Sequence, residues 1–136
     1  MTKTVKIILL YWIPTILWMG VIFYLSNQPD LKTNLGIWDL ILRKLAHLFE
    51  FGILTLLIWR ALRQSLASSI KPIIFSGIIA LLYAISDEIH QLFISKRVGS
   101  PVDVGIDCAG ILIVIILILL SRRYREIKKI KTKLAS

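Results

Sequence analysis

Residues 102–120 read VDVGIDCAGILIVIILILL, an almost uninterrupted apolar run. A helix needs about 18 or more such residues to cross the hydrocarbon core of a bilayer, so this stretch predicts a transmembrane helix. Asp103 and Asp107 lie one turn apart at its start. Because a charged side chain in a membrane is costly unless it faces protein or water, the stretch also predicts a polar site inside a helix bundle.

Three further runs of this kind occupy residues 7–25, 45–62 and 72–93. The chain has 136 residues, of which 57% are hydrophobic and 18% charged, and its mean hydropathy is +0.77. These values predict an all-α, polytopic membrane protein whose four transmembrane helices form one bundle. No signal-peptide cleavage site follows the first run, so we expect it to remain as an anchor. The predicted domain covers residues 1–121, and a basic tail follows at 122–136.

The basic residues predict the orientation of the bundle. Lys and Arg number 17 against 8 Asp and Glu, a net charge of +9. Most of the basic residues fall at the ends that include both termini and the 63–71 loop. Cytoplasmic loops carry such an excess, so we expect a multi-pass cell-membrane protein with both termini cytoplasmic and the 26–44 and 94–101 loops outside. Membrane orientation explains the charge, and no nucleic-acid partner is expected.

Two structural interpretations fit the basic tail. Its apolar residues recur at spacings of three and four among the basic ones, at Tyr124, Ile127, Ile130 and Leu134. A helix with this pattern would lie on the inner membrane surface with its apolar stripe down. The alternative is a solvated stop-transfer tail that holds the last span in place.

Ionisable motifs cluster at the predicted outer ends of the last three spans. At about 1.5 Å per residue, Glu50, Asp87 and Asp107 each lie about 7–9 Å inside the outer end of their span. The motifs are therefore predicted to form one layer facing outward. They comprise Lys44, His47 and Glu50 in span two, Asp87, Glu88, His90 and Gln91 in span three, and Asp103 and Asp107 in span four.

These motifs resemble those of the VanZ family. The resemblance rests on SDEIHQLF at 86–93, followed by Arg97, Ser100, Asp103, Asp107 and Gly110, and on two earlier blocks, KLAHLFEF at 44–51 and FYLSNQP at 23–29. It implies a small bacterial membrane protein of the cell envelope. It also implies a link to resistance against teicoplanin, a lipid-bearing glycopeptide antibiotic.

Three functions are compatible with the layer. The first is an enzyme acting on a lipid or lipid-linked cell-wall headgroup, in which acids and histidines transfer protons and cations hold a phosphate. The second is a non-catalytic protein that binds or scaffolds a lipid or glycopeptide, and the third is a proton-coupled transporter. Candidate catalytic residues are Glu88, His90, His47, Glu50 and Asp87. Candidate substrate-binding residues are Arg97, Lys44, Arg43, Gln91, Asp103, Asp107, Ser26, Gln28 and Ser100.

Two further hypotheses for the polar residues are metal binding and a purely structural role in helix packing. His47, Glu50, Glu88, His90 and Asp107 offer N and O ligands, but the Glu-x-x-His spacing of di-iron bundles is not repeated, so no metal is predicted. The polar residues could also serve packing alone, as the pairs Lys44–Glu50, Arg97–Asp103 and His90–Asp87. The high cost of intramembrane charge favours a functional site. Asp39 is expected to be a solvated loop acid, and the sequence names neither cofactor nor oligomeric state.

Overall fold

Four long helices make up the fold. The computed structural model describes residues 2–29, 36–95, 97 and 99–134. The helices are α1, Lys3–Ser26; α2, Ile37–Ser65; α3, Lys71–Gln91; and α4, Pro101–Leu134. Each is long and apolar enough to cross a membrane, and no strand occurs within the described ranges. The predicted all-α architecture with four membrane helices is confirmed.

Helix α2 begins earlier than the sequence predicted. It starts at Ile37, eight residues before the predicted span, so Arg43 and Lys44 lie on a helix rather than in a loop. The expectation that Asp39 is a solvated loop acid was wrong. Asp39 lies in the first helical turn, is only 7% exposed, and places its Oδ2 3.0 Å from Arg43 Nε. A carboxylate is favoured at a helix N-terminus, and i,i+4 spacing brings the guanidinium to it.

The loops at this end are only partly described. Asp30, Lys32 and Lys96 contributed to the predicted outer loops, and all three lie outside the described residues. Helix α3 ends at Gln91, two residues before the predicted end of its span.

Pro14 is accommodated by a local widening of α1. Residues Ile8–Trp12 form a π-helical stretch, in which the Ile13 N–H donates to the Ile8 carbonyl five residues earlier. A proline ring in a regular α-helix would clash with the carbonyl four residues before it, and a π-bulge relieves that contact. Thr15 Oγ1 donates to the Tyr11 carbonyl at 2.8 Å, which satisfies one acceptor in the widened turn. The helix therefore continues through the proline.

Helix α4 passes without a break from the predicted span into the basic tail. Its 34 residues correspond to about 50 Å at 1.5 Å per residue, well beyond the roughly 30 Å hydrocarbon core. The tail is therefore helical as far as Leu134, and its last two residues lie outside the described part. Tyr124, Ile127 and Leu134 are exposed along it.

The core lies where α2, α3 and α4 meet. Phe51, Leu54 and Ala84 are fully buried in it. Gly110 of α4 lies so close to α2 that a Cβ there would overlap the carbonyl oxygen of Leu48. Helix α1 has fewer contacts and packs against α2 and α3. Many large apolar side chains on the outer faces remain exposed, Leu17 and Leu112 among them, as expected for helices that face lipid.

Candidate functional site

Acidic side chains from two helices are buried at the end of the bundle where α3 ends and α4 begins. Asp87 and Glu88 of α3 are 6% and 5% exposed, and Asp107 of α4 is fully buried. Glu50 of α2 is half-buried beside them. Burying this many carboxylates is costly unless partners or ligands compensate the charge. The arrangement agrees with the single polar layer predicted from helical rise.

His47 of α2 directs one ring nitrogen toward two of these carboxylates. Its Nδ1 is 3.1 Å from Asp107 Oδ1 and 3.9 Å from Glu88 Oε1. The second oxygen of Asp107, Oδ2, is buried and has no hydrogen-bond partner in the part of the chain that the structure describes. Three helices thus bring an imidazole and two carboxylates together, the kind of grouping that transfers protons in enzymes.

Glu88 is held on its other side by the turn before α4. The backbone N–H of Ser100 donates to Glu88 Oε2 at 2.8 Å. Gln91 Nε2 donates to Asp87 Oδ2 at 3.0 Å and lies 3.4 Å from Glu88 Oε1. Gln91 and Ser100, predicted as substrate-binding residues, therefore position the two acids of α3 through direct hydrogen bonds.

Arg97 joins the end of α1 to the polar layer through hydrogen bonds. Its Nε and Nη2 donate to the carbonyls of Gln28 and Leu25 at 2.9 and 2.8 Å, and its Nη1 is 3.3 Å from Gln91 Oε1. The side chain of Gln28 turns back to the Tyr24 carbonyl at 3.2 Å, so Arg97 contacts its main chain instead. The guanidinium thus adds hydrogen bonds to carbonyls at the end of α1, where the helix leaves acceptor capacity unused.

The ion pairs differ from those suggested as packing contacts. Lys44 Nζ pairs with Asp103 Oδ1, whereas the sequence suggested Lys44–Glu50 and Arg97–Asp103. Because Lys44 and Asp103 stand one turn outside His47 and Asp107 on the same two helices, the two contacts repeat along a single α2–α4 interface.

His90 lies apart from the other polar residues of α3. Its ring stacks on Phe23 of α1, with centroids 4.9 Å apart. Its Nε2 is buried without a hydrogen-bond partner among the described residues. The hydrogen bonds of Asp87 run to Gln91 instead, and none of the ion pairs in the described part of the chain joins His90 to Asp87. Asp87, Glu88, His90 and Gln91 span about 160° of the helix, and this wide arc lets the histidine face α1 while the acids face inward.

A small cavity of about 60 Å³ opens next to His47, between α1, α2 and α3. Its lining includes Ser26, Arg43, Glu50 and Arg97. Ser26 is buried, and its hydroxyl has no partner within the described ranges. A space of this size and polarity can hold a few water molecules or a small polar group.

Two aromatic residues that position α1 were not identified as site residues from the sequence. Trp18 Nε1 donates to the Glu50 carbonyl at 3.0 Å, and Tyr83 Oη donates to the Met19 carbonyl at 2.8 Å. Neither Trp18 nor Tyr83 is among the candidate residues named from the sequence. Their signal was an N–H or O–H in an apolar span, which requires an acceptor when buried.

The distances between the candidate metal ligands can be compared with those that an ion requires. Of the five possible ligands, His47, Glu88 and Asp107 offer donor atoms that lie within 4.8 Å of one another. Ligands of a zinc ion, bound at about 2.0–2.2 Å, lie no further apart than roughly 4.4 Å, and the two distances from His47 Nδ1, 3.1 Å to Asp107 and 3.9 Å to Glu88, fall within that limit. The three side chains are the residues that would bind a divalent ion, and the expectation of no metal stays a prediction.

Comparison with known proteins now places these features in a family. The sequence profile of the VanZ/LLP1 family matches residues 11–122, which include α2 and α3, the larger part of α1 and α4, and every residue of the polar layer. The chain belongs to the VanZ/LLP1 family. It is also 32% identical over 113 residues to the uncharacterized membrane protein YwnJ of Bacillus subtilis (strain 168), covering 78% of this chain and 74% of that protein. No solved structure matches.

Proposed function

We propose that this VanZ/LLP1 family protein is an enzyme that acts on the headgroup of a lipid or lipid-linked cell-wall precursor, with His47 as the proton-transfer group. The observation that carries the proposal is the position of His47, whose Nδ1 lies 3.1 Å from Asp107 and 3.9 Å from Glu88, beside a polar cavity. A layer of buried acids is too costly to be retained for packing alone, because hydrogen bonds between membrane helices contribute only about 0.6 kcal/mol on average.

The roles follow from hydrogen-bonding capacity. A neutral histidine that donates from Nδ1 to Asp107 keeps Nε2 as the acceptor, and the carboxylate stabilises the imidazolium when a proton arrives. Glu88, which accepts a hydrogen bond from the Ser100 N–H, is the second carboxylate beside His47. Glu50 and Asp87 line the cavity together with His47.

The cations nearby suit a phosphate-bearing substrate. Arg43 and Arg97 both line the cavity. A guanidinium has five N–H donors, and Arg97 uses three nitrogens for the contacts described, which leaves donors on its Nη atoms. Lys44, with Asp103, lies one turn further out, where a headgroup would enter. We assign Arg97, Arg43 and Lys44 to headgroup binding.

The proposal is tested by incubating purified protein with extracted bacterial envelope lipids and following headgroup products by mass spectrometry. We expect turnover by the wild-type protein and a loss of about 100-fold or more in His47→Gln, since general acid–base groups contribute that much. His90→Gln is the matched control, because His90 stacks on Phe23 away from the two carboxylates. Stoichiometric retention of a lipid without turnover would contradict the proposal and indicate a binding protein.

The orientation of the site is part of the same proposal, with the polar layer outside and both termini cytoplasmic. In a Cys108→Ser background, a cysteine at position 100 should react with an impermeant thiol reagent added to intact cells. A cysteine at position 65, at the opposite end of α2, should react only after lysis. The reverse pattern would overturn the orientation and place the cluster at the inner leaflet.

The family resemblance extends the proposal to glycopeptides. An enzyme that modifies a surface lipid or cell-wall precursor changes the target that a lipid-bearing glycopeptide such as teicoplanin encounters. We expect expression of the wild-type protein in a susceptible bacterium to raise the inhibitory concentration of teicoplanin, and expression of His47→Gln to leave it unchanged. Equal inhibitory concentrations for the two strains would separate this protein from glycopeptide susceptibility.

A further inference from the structure

A second polar hollow lies at the opposite end of the bundle, among the basic residues. It encloses about 410 Å³ between the end of α2, the 66–69 connection, the start of α3 and the tail part of α4. None of the residues in the polar layer lines it. We infer that this hollow binds the phosphate headgroup of an anionic phospholipid.

Three guanidinium groups surround the hollow. Arg63 comes from α2 and Arg122 and Arg125 come from α4, and no acidic residue is among the described residues that line it. Arg122 Nη1 donates to the Ser69 carbonyl, which holds α4 against the connection. Arg63 lies over the Trp59 ring, with its Cζ 5.4 Å from the ring centroid. Positive charge is thus concentrated from two helices around one space, and arginine recognises phosphate through paired N–H donors.

An apolar groove continues from the hollow along the membrane-facing side of α2 and α4. It encloses about 300 Å³ and shares Trp59 and the three arginines with the hollow. Its remaining lining includes Leu56 and Leu117, which are 39% and 55% exposed. A charged headgroup site that opens directly into an apolar groove matches a molecule with a phosphate at one end and an acyl chain at the other.

The charge identifies the class of lipid. A zwitterionic phospholipid would bring its ammonium group into a space lined by three cations, whereas an anionic phospholipid brings a net negative charge. Basic pockets between membrane helices at the cytoplasmic side are suited to such headgroups. The inference does not depend on the chemistry proposed for His47, since the two sites share no residue.

The test is a lipid-binding measurement on the purified full-length protein. Native mass spectrometry in detergent should show that the wild-type protein retains phosphatidylglycerol at least tenfold more strongly than phosphatidylethanolamine of the same acyl chains. Arg63→Gln/Arg125→Gln should lose that preference, because charge-assisted hydrogen bonds to phosphate are removed. Both arginines are exposed, so the exchange leaves the packed core intact.

The matched control is Lys3→Gln/Lys131→Gln, which removes the same charge from the same end of the molecule but away from the hollow. It should retain phosphatidylglycerol as the wild-type protein does. Equal loss in both double variants would show general attraction to a basic surface and overturn the site, as would equal retention of the two lipids by the wild-type protein. Glycerol phosphate without acyl chains should compete only weakly; strong competition would contradict the role of the groove.

Discussion

Asp107→Asn is expected to reduce headgroup turnover by about 10²–10⁴-fold while leaving the bundle folded. Asp107 is fully buried and is the closest carboxylate to His47 Nδ1, at 3.1 Å. An amide of the same shape cannot stabilise an imidazolium, so the proton-transfer step loses its electrostatic support. Because Oδ2 has no partner among the described residues, the amide can occupy that position without breaking a hydrogen bond. Product formation from envelope lipids is the measurement.

Glu126→Gln is the control for Asp107→Asn, since it removes one negative charge from the exposed tail at the far end of α4. It should keep wild-type turnover. Circular dichroism and gel filtration in detergent should show the same helix content and size for both variants. Full turnover by a well-folded Asp107→Asn protein would remove His47–Asp107 from the mechanism.

Gly110→Ala is expected to destabilise the bundle by about 1–3 kcal/mol or more. A Cβ at Gly110 would overlap the carbonyl oxygen of Leu48, and a helix backbone cannot move aside as a flexible side chain can. Helix α4 would have to shift away from α2, which would also separate Asp107 from His47. Thermal unfolding in detergent, followed by circular dichroism, should show the lower stability, and headgroup turnover should fall with it.

Gly105→Ala provides the comparison on the same helix. A Cβ at Gly105 meets no atom within 4 Å, so the alanine should be neutral or slightly stabilising through its higher helix propensity. If the two substitutions changed stability equally, close contact at Gly110 would not be what holds α4 against α2.

The depth of the polar layer was predictable from the sequence, but its pairing was not. Rise per residue places Glu50, Asp87 and Asp107 at one level, whatever the rotation of each helix. Which side chains meet depends on how α2 and α4 are turned and how closely they approach. That approach is fixed by Gly110 against Leu48, a contact between residues far apart in sequence. Lys44 therefore meets Asp103 rather than Glu50.

The start of α2 and the surroundings of His90 were also not predictable from the sequence, for two different reasons. The first turns of α2 contain Asp39, Arg43 and Lys44, so a search for apolar runs begins too late. Helical periodicity predicts the direction in which His90 leaves α3. It does not predict that α1 packs there and places Phe23 against the imidazole ring. The four spans were recognisable because they required only composition and length.

The attachment of α1 has a consequence for how this protein can change over evolutionary time. Among the residues that the structure describes, the side-chain hydrogen bonds joining α1 and its following turn to the rest of the bundle all end on main-chain carbonyls: those of Met19, Leu25, Gln28 and Glu50. Every amino acid provides that acceptor. The side chains at Met19, Leu25 and Gln28 can therefore drift without loss of these bonds, whereas the donors Trp18, Tyr83 and Arg97 cannot.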